Sequence, residues 1–265
     1  MEVGRPAAAS ARSIVPVAAP TVRRRSRRRA LRTLLIVAPV LGGAASARAG
    51  EYPLSTVIFG SLEAGPSGFV TVGAKVAADR IDRDGFVALA SLGTGRRGER
   101  GPSLAGARPT ILTRWTMLGA ALAGYQWVAD WGVVALFAGP EGSIESLSGP
   151  GGAAFLPARP GLRIHGEVWA RPSEDTLLTA TLILGSARGH AWGRLSYGWR
   201  AWGASVGPEA ALYVDETGYR KTSLGLHATD LEVGDLRCRV SAGVLMESGR
   251  ASAGPYVSLT LWRPL

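Results

Sequence analysis

Three histidines, His165, His190 and His227, and a scatter of carboxylates and arginines are the side chains in this sequence that could do chemistry. His165 with Glu167 two residues on could form an acid–base pair, and three imidazoles with a carboxylate could hold a metal. Each histidine, however, belongs to a different segment, and no H-x-x-x-H spacing occurs. The preferred reading is a charge network in a polar interior. A lipid hydrolase would need a Ser–His–acid set facing lipid. His165 and His227 alternate with apolar residues and so point away from lipid, His190 falls at a turn, and no G-x-S-x-G element is present. A glycosidase would need two carboxylates about 5–9.5 Å apart. Glu167 and Glu209 are the candidates, but neighbouring arginines would keep both ionised. The residues therefore assign no catalytic, cofactor or metal site.

What positions these residues is a two-residue period. In Gly161–Arg171, Arg163, His165, Glu167, Trp169 and Arg171 occupy one set of alternate positions, and Ile164, Gly166, Val168 and Ala170 the other. Successive side chains of a strand point to opposite faces, so the segment has one charged and one apolar face. The pattern recurs. Arg194, Ser196, Gly198 and Arg200 alternate with Leu195, Tyr197, Trp199 and Ala201; Lys221 and His227 alternate with Leu224 and Leu226; Arg237 and Arg239 alternate with Leu236, Cys238 and Val240. Twelve segments read as strands: 54–64, 68–78, 84–94, 110–127, 131–142, 161–172, 175–187, 190–202, 204–215, 219–230, 235–247 and 254–263. Most have ten or more residues, enough to cross a bilayer as tilted strands. The fold expected is all-β: a single antiparallel up-and-down transmembrane β-barrel of about 12 strands, with ten as the alternative.

In such a barrel, charges belong inside, since Arg or Lys on the lipid face costs about 2–4 kcal/mol near the midplane. The expected lumen network is Arg163, His165, Glu167, Arg171, Arg194, Arg200, Glu209, Lys221, His227, Arg237 and Arg239, with Glu63 and Glu141 as further partners. Trp169, Trp192, Trp202 and Tyr219 are candidates for stacking on sugar rings. Trp115, Tyr125, Trp127, Trp131, Tyr197, Trp199 and Trp202 cluster near strand ends, where outward rings would form an interfacial girdle. Arg96–Pro109 and Ser143–Pro160 read as long loops on one side of the barrel. A faint repeat relates Tyr125–Glu141 to Tyr197–Glu209, and its proline (Pro140, Pro208) predicts a bulge or a strand end.

The formal charge of +10 is concentrated at the front. Residues 1–49 contain ten arginines and one acid, leaving 20 basic and 19 acidic residues in 50–265. That balance removes the case for nucleic-acid binding, which needs a basic patch on the folded domain. Residues 1–49 read as a leader and signal peptide: a basic stretch Arg23–Arg32, a 13-residue apolar run Thr33–Ala45, and the small-x-small site Ala47-Arg48-Ala49. Residues 50–265 are the barrel domain. Cys238 is the single cysteine, so no intramolecular disulfide forms.

Several segments carry a family resemblance: Phe59–Gly65, Tyr125-Gln126-Trp127, Phe137–Glu141, Gly166–Pro172, Thr179–Arg188, Ala191–Arg194, Gly207–Tyr213 and Gly225–Asp230. Together they resemble the cellulose biosynthesis protein BcsS family of alphaproteobacteria over nearly all of 54–263. The resemblance implies an outer-membrane barrel serving bacterial cellulose synthesis or secretion; since the residues assign no catalytic or cofactor site, the role expected is that of a non-catalytic accessory. Its partners would be outer-membrane lipid and cellulose or components of the cellulose synthase and secretion machinery. The alternatives are an outer-membrane enzyme acting on lipid or glycan, and a narrow channel.

Overall fold

The structure, a computed structural model, describes residues 55–101 and 110–265. The leader, signal and cleavage site read in residues 1–49 lie outside the described residues. So does 102–109, within the first expected loop.

Among the described residues the chain forms β1 (Thr56–Ala64), β2 (Gly68–Ala77), β3 (Gly85–Arg100), β4 (Ile111–Ala129), β5 (Gly132–Gly149), the short β6 (Gly152–Phe155), β7 (Arg159–Ala170), β8 (Thr176–Gly185), β9 (His190–Ala201), β10 (Ala204–Val214), β11 (Arg220–Val233), β12 (Leu236–Glu247) and β13 (Gly254–Pro264). β6 folds back on the end of β5, and the other twelve pair antiparallel in chain order. β1 meets β13 from Val57↔Pro264 to Ala64↔Val257, which closes the sheet into a twelve-stranded barrel. The expected count of twelve therefore holds, and ten does not.

The alternation that makes these segments strands also decides which face is in. On β3, Phe86, Ala88, Ala90 and Leu92 are exposed while Val87 and Leu89 are buried. On β7, Leu162 and Ile164 are exposed while Arg163 and His165 are buried. Large apolar residues thus cover the outside and charged ones fill the inside, the reverse of a water-soluble core. A smaller apolar cluster also lies inside, where Val87, Leu89, Leu122 and Phe137 pack beneath β2–β5. Inward glycines make room for large neighbours: the Phe69 ring occupies the space a Cβ on Gly93 would take, with Cε1 2.8 Å from that position.

The turns define two rims. Rim A carries the connections after β1, β3, β6, β8, β10 and β12; rim B carries those after β2, β4, β7, β9 and β11. Ser55 and Leu265 meet at rim B, where the Ser55 N–H donates to the Leu265 carbonyl at 3.2 Å.

Two expectations need correction. The segments read as loops at Arg96–Pro109 and Ser143–Pro160 are largely strand where described. β3 continues to Arg100↔Ile111 and β5 continues to Thr113↔Ser148, forming a wall that outruns its neighbours at rim A. Their glycines suggested loops, but ladder pairing with β4 overrides that local preference. The prolines cause no bulge either. Pro140 and Pro208 interrupt the ladders to β4 and β9, yet the register resumes unshifted on either side. The barrel absorbs one missing donor by keeping the opposite edge paired, at Pro140↔Leu162 and Pro208↔Leu226. The observed register shift between β11 and β12 lies instead between Thr229 and Leu231, around Asp230 with φ +66°.

Candidate functional site

At rim A six buried or half-buried side chains form a closed ring of alternating charge. Arg97 on β3 donates to Asp215 at 2.5 Å across the lumen. Asp215 also accepts from Arg188 at 3.1 Å. Arg188 meets Glu145 on β5 at 2.8 Å. Glu145 accepts from Arg114 on β4 at 2.9 Å, and Arg114 donates to Glu99 on β3 at 2.7 Å. Glu99 returns to Arg97 at 2.6 Å. Three guanidinium groups and three carboxylates thus neutralise one another around a circuit. The geometry follows from the sequence locally. Arg97/Glu99 and Glu141/Ser143/Glu145 keep the two-residue period to the ends of their strands. Arg188 and Asp215 sit on the tight turns after β8 and β10, which tip them over the mouth.

Hydrogen bonds around the ring fix it further. Thr116 donates to Glu145 at 3.0 Å, and Thr217 donates through both its N–H and hydroxyl to Asp215 at 3.0 and 2.5 Å. The Arg97 guanidinium stacks 4.0 Å above the Tyr219 ring, whose hydroxyl donates to Glu247 at 2.8 Å.

Further pairs line the lumen beside and below the ring. Arg163 donates to Glu141 at 2.8 Å, and Glu141 also accepts from the Ala187 N–H at 2.9 Å. Lys221 pairs with Glu63. Arg239 reaches Glu209 at 2.5 Å and Thr179 at 2.9 Å. Glu167 lies 3.2 Å from His165 Nε2 and 3.5 Å from Lys75, and still keeps 34% of its side chain exposed. His227 shares a 2.7 Å hydrogen bond with Thr229, and His190 stacks on Tyr213 with centroids 6.1 Å apart. Near rim B, Trp169 on β7 meets Trp262 on β13 edge-on, with centroids 5.7 Å apart.

The sequence-derived candidates divide accordingly. Arg163, His165, Glu167, Glu209, Lys221, His227 and Arg239 face the lumen, in separate groups rather than one. Arg194 also faces inward, set over the Trp192 ring at 5.4 Å, with no carboxylate at ion-pair distance among the described residues. Arg171 binds Asp230 at 2.6 Å and is partly exposed at rim B. Arg237 pairs with Glu232 at 3.6 Å as an exposed rim contact, and Arg200 is exposed at the same rim. Arg171, Arg200 and Arg237 are all corrected from lumen to rim, because their strands begin or end there. Trp202 is also corrected: it is 95% exposed with φ +51° at the β9–β10 turn and does not face inward. Trp169 and Tyr219 do face inward, but their rings already pack on Trp262 and Arg97. Of the four stacking candidates, that leaves Trp192 beside Arg194. His190 is the buried first residue of β9, not a turn residue.

None of the six ring residues was among the sequence-derived candidates. The two-residue spacing of Arg97/Glu99 and the four-residue, same-face spacing of Glu141/Glu145 are the available signal, and the glycine content around them masks it. Chemically, the site is a set of mutually neutralised charges. Among the described residues no group of three or more metal-type ligands is gathered, and no hydrogen bond joins a histidine to a serine.

A family model described as "Cellulose biosynthesis protein BcsS" matches residues 57–265. No curated protein matches the chain. Solved structures similar to it include the KdgM porin in complex with disordered oligogalacturonate, at 9% identity over 79% of this chain and 99% of that one, with a TM-score of 0.40. Another is the translocator domain of the autotransporter NalP from Neisseria meningitidis, at 15% identity over 79% and 88%, with a TM-score of 0.42. At such distances neither bears on what this chain does.

Glu209 is the carboxylate that meets buried Arg239, so Glu209→Gln leaves a guanidinium unpaired. The expected loss is about 3–5 kcal/mol, the usual cost of breaking one side of a buried pair, read from the urea midpoint of the folded barrel. An unchanged midpoint would contradict the pairing. Asp215 gives a pH prediction. Burial alone would raise its carboxyl, but Thr217, Arg97 and Arg188 outweigh that and hold it below the usual carboxylate range, while Tyr213 and His190 are further titratable groups facing it. Its contribution is therefore complete above the ordinary value near 4 and is lost as pH falls through the lower folded value. The difference in unfolding midpoint between the native chain and Asp215→Asn should be constant from about pH 8 to 5 and shrink below about pH 4. A difference that grows on acidification would contradict this assignment.

Proposed function

The chain belongs to the cellulose biosynthesis protein BcsS family, and on that premise we propose that it is a non-catalytic accessory barrel of the outer membrane. Its task is the synthesis or secretion of cellulose. Its partners are membrane lipid on the outer wall and cellulose or the cellulose synthase and secretion machinery at the rims.

The observation that carries the membrane reading is the inverted wall. Outward Phe86, Leu92, Met117, Leu162, Leu195 and Leu226 are all exposed, an apolar band far larger than soluble monomers tolerate. Its height also fits. Trp115 and Trp127 both point outward from β4, twelve residues apart. At about 3.3 Å per residue they are roughly 40 Å apart along the strand, or about 28–30 Å along the barrel axis after a 40–45° tilt. That spacing places a ring at each edge of a hydrocarbon core about 30 Å thick.

A non-catalytic role is supported by the neutralised interior, where the glycosidase candidates Glu167 and Glu209 are each held by a cation. An open conduit is opposed by contacts at several depths, from Arg97–Asp215 at rim A to Trp169–Trp262 near rim B. Scaffolding or docking suits such a filled barrel better than passage of a polymer.

Deleting the protein from its native bacterium should lower secreted cellulose, and the full chain supplied in trans should restore it. The purified barrel in planar bilayers should show no steady conductance. Unchanged cellulose output would overturn the cellulose role, and a persistent ohmic conductance would overturn the filled-barrel reading.

A further inference from the structure

We propose that the β10–β11 turn, Asp215–Gly218, is a polar lid over the lumen at rim A, latched by Asp215 and able to swing out without stranding a charge. The proposal requires the barrel but not the cellulose reading.

The contacts that hold the turn down to the rest of the rim are polar. Asp215 accepts from Arg97 at 2.5 Å and from Arg188 at 3.1 Å. Arg97 also donates to Thr217 at 3.1 Å. Glu216 pairs with Arg159 at the start of β7, and its N–H reaches the Arg188 carbonyl at 3.4 Å. Water can replace every one of these contacts at small net cost, which is not true of an apolar plug. The apolar cluster of Val87, Leu89, Leu122 and Phe137 lies farther down, toward rim B, and does not touch the lid.

The circuit explains why the lid can leave. When Asp215 moves into solvent, Arg97 keeps Glu99 at 2.6 Å and Arg188 keeps Glu145 at 2.8 Å. Arg188 also keeps the Tyr213 hydroxyl at 2.8 Å. The remaining five charges still alternate along β3, β4, β5 and the β8–β9 turn. A simple pair would leave one buried ion with no partner on opening, at a cost of several kcal/mol, whereas here every remaining member keeps a partner, and the net +1 of three arginines and two glutamates sits at the mouth that opening exposes to water. The two sides of the latch also differ in anchorage. The β8–β9 turn is fixed from below by Glu141, which accepts the Ala187 N–H at 2.9 Å. The lid is flanked by Gly218 at φ +79° and anchored at its far end by Tyr219. Tyr219 therefore serves as the hinge post and Asp215 as the catch.

The test reads access to the lumen with a thiol probe. In a Cys238→Ser background the full chain has no other cysteine, so Ala211→Cys supplies a single thiol. Ala211 faces inward on β10, opposite Arg194 and Ser223, about 13 Å below the lid at 3.3 Å per residue. Leu177→Cys, fully buried near rim B, is the control for barrel integrity. Both are treated with a charged maleimide, folded in detergent micelles, with the lid native or carrying Asp215→Ala/Glu216→Ala. The expected result is that Ala211→Cys reacts about tenfold faster or more with the altered lid, as for an opening free energy lowered by about 1.4 kcal/mol. Leu177→Cys should stay protected in both. Equal rates at Ala211→Cys would overturn the lid. Reaction of Leu177→Cys only in the altered chain would also overturn it, by showing that the whole barrel loosens.

Discussion

A charge on the inner wall of this barrel has neither bulk water nor a lipid headgroup to solvate it. Neutralisation within the lumen is therefore the constraint from which the rest follows. A strand presents its inward residues at every second position, and adjacent strands keep fixed spacing. A long arginine must then reach a carboxylate on another strand, often not a neighbour. Arg239 spans to Glu209 two strands away, and Arg97 crosses to the far side to find Asp215. The pairs hold walls together that the ladder alone would leave independent, and they do it in a space that apolar side chains only partly fill.

The same constraint sorts the pairs by how replaceable each partner is. Glu209 and Arg239 depend on one another closely, because burial surrounds both. The rim A ring distributes each charge over two partners, so losing one leaves the others satisfied. Buried ion pairs contribute little net stability once desolvation is counted, and registry or switching is their best-attested use. The arrangement here fits that pattern: static pairs in the middle and a redundant circuit at the mouth.

The fold was legible because its signal is periodic and repeated. Arg163/His165/Glu167 against Ile164/Val168 states both the strand and its inward face, and the segments 190–202, 219–230 and 235–247 say the same. Strand ends were less legible. Gly98 looks like a loop residue, and only pairing with Thr113 of β4, a long-range fact, makes it strand. For that reason Arg97, Glu99 and Glu145 look like loop charges, although their spacing continues the same period; Arg114, within the strand read at 110–127, has no charged residue at i±2 to mark its face. The strand bounds 175–187 and 204–215 put Arg188 in a turn and Asp215 at a strand end, but no local pattern says that the ends of two different hairpins meet over a lumen. Trp202 shows the converse error. It continues the alternation of β9 on paper, yet a left-handed backbone at the hairpin tip turns its ring outward.

The wall is uneven, and that has a kinetic meaning. β1 and β2 have 9 and 10 residues, while β3, β4 and β5 have 16, 19 and 18. Most neighbouring strands are joined by short hairpins, so they can zip in sequence with little loop entropy to overcome. The β1–β13 seam joins residues some 200 positions apart, through eight residue pairs on the short side of the cylinder. Until that seam forms, the sheet has two bare edges, each able to template a strand from another chain. Contacts so distant along the chain form late because closure entropy must be met first. Folding of this cylinder is thus a race between its own last seam and a stranger's strand, and an assembly factor that shields the β1 and β13 edges would decide it.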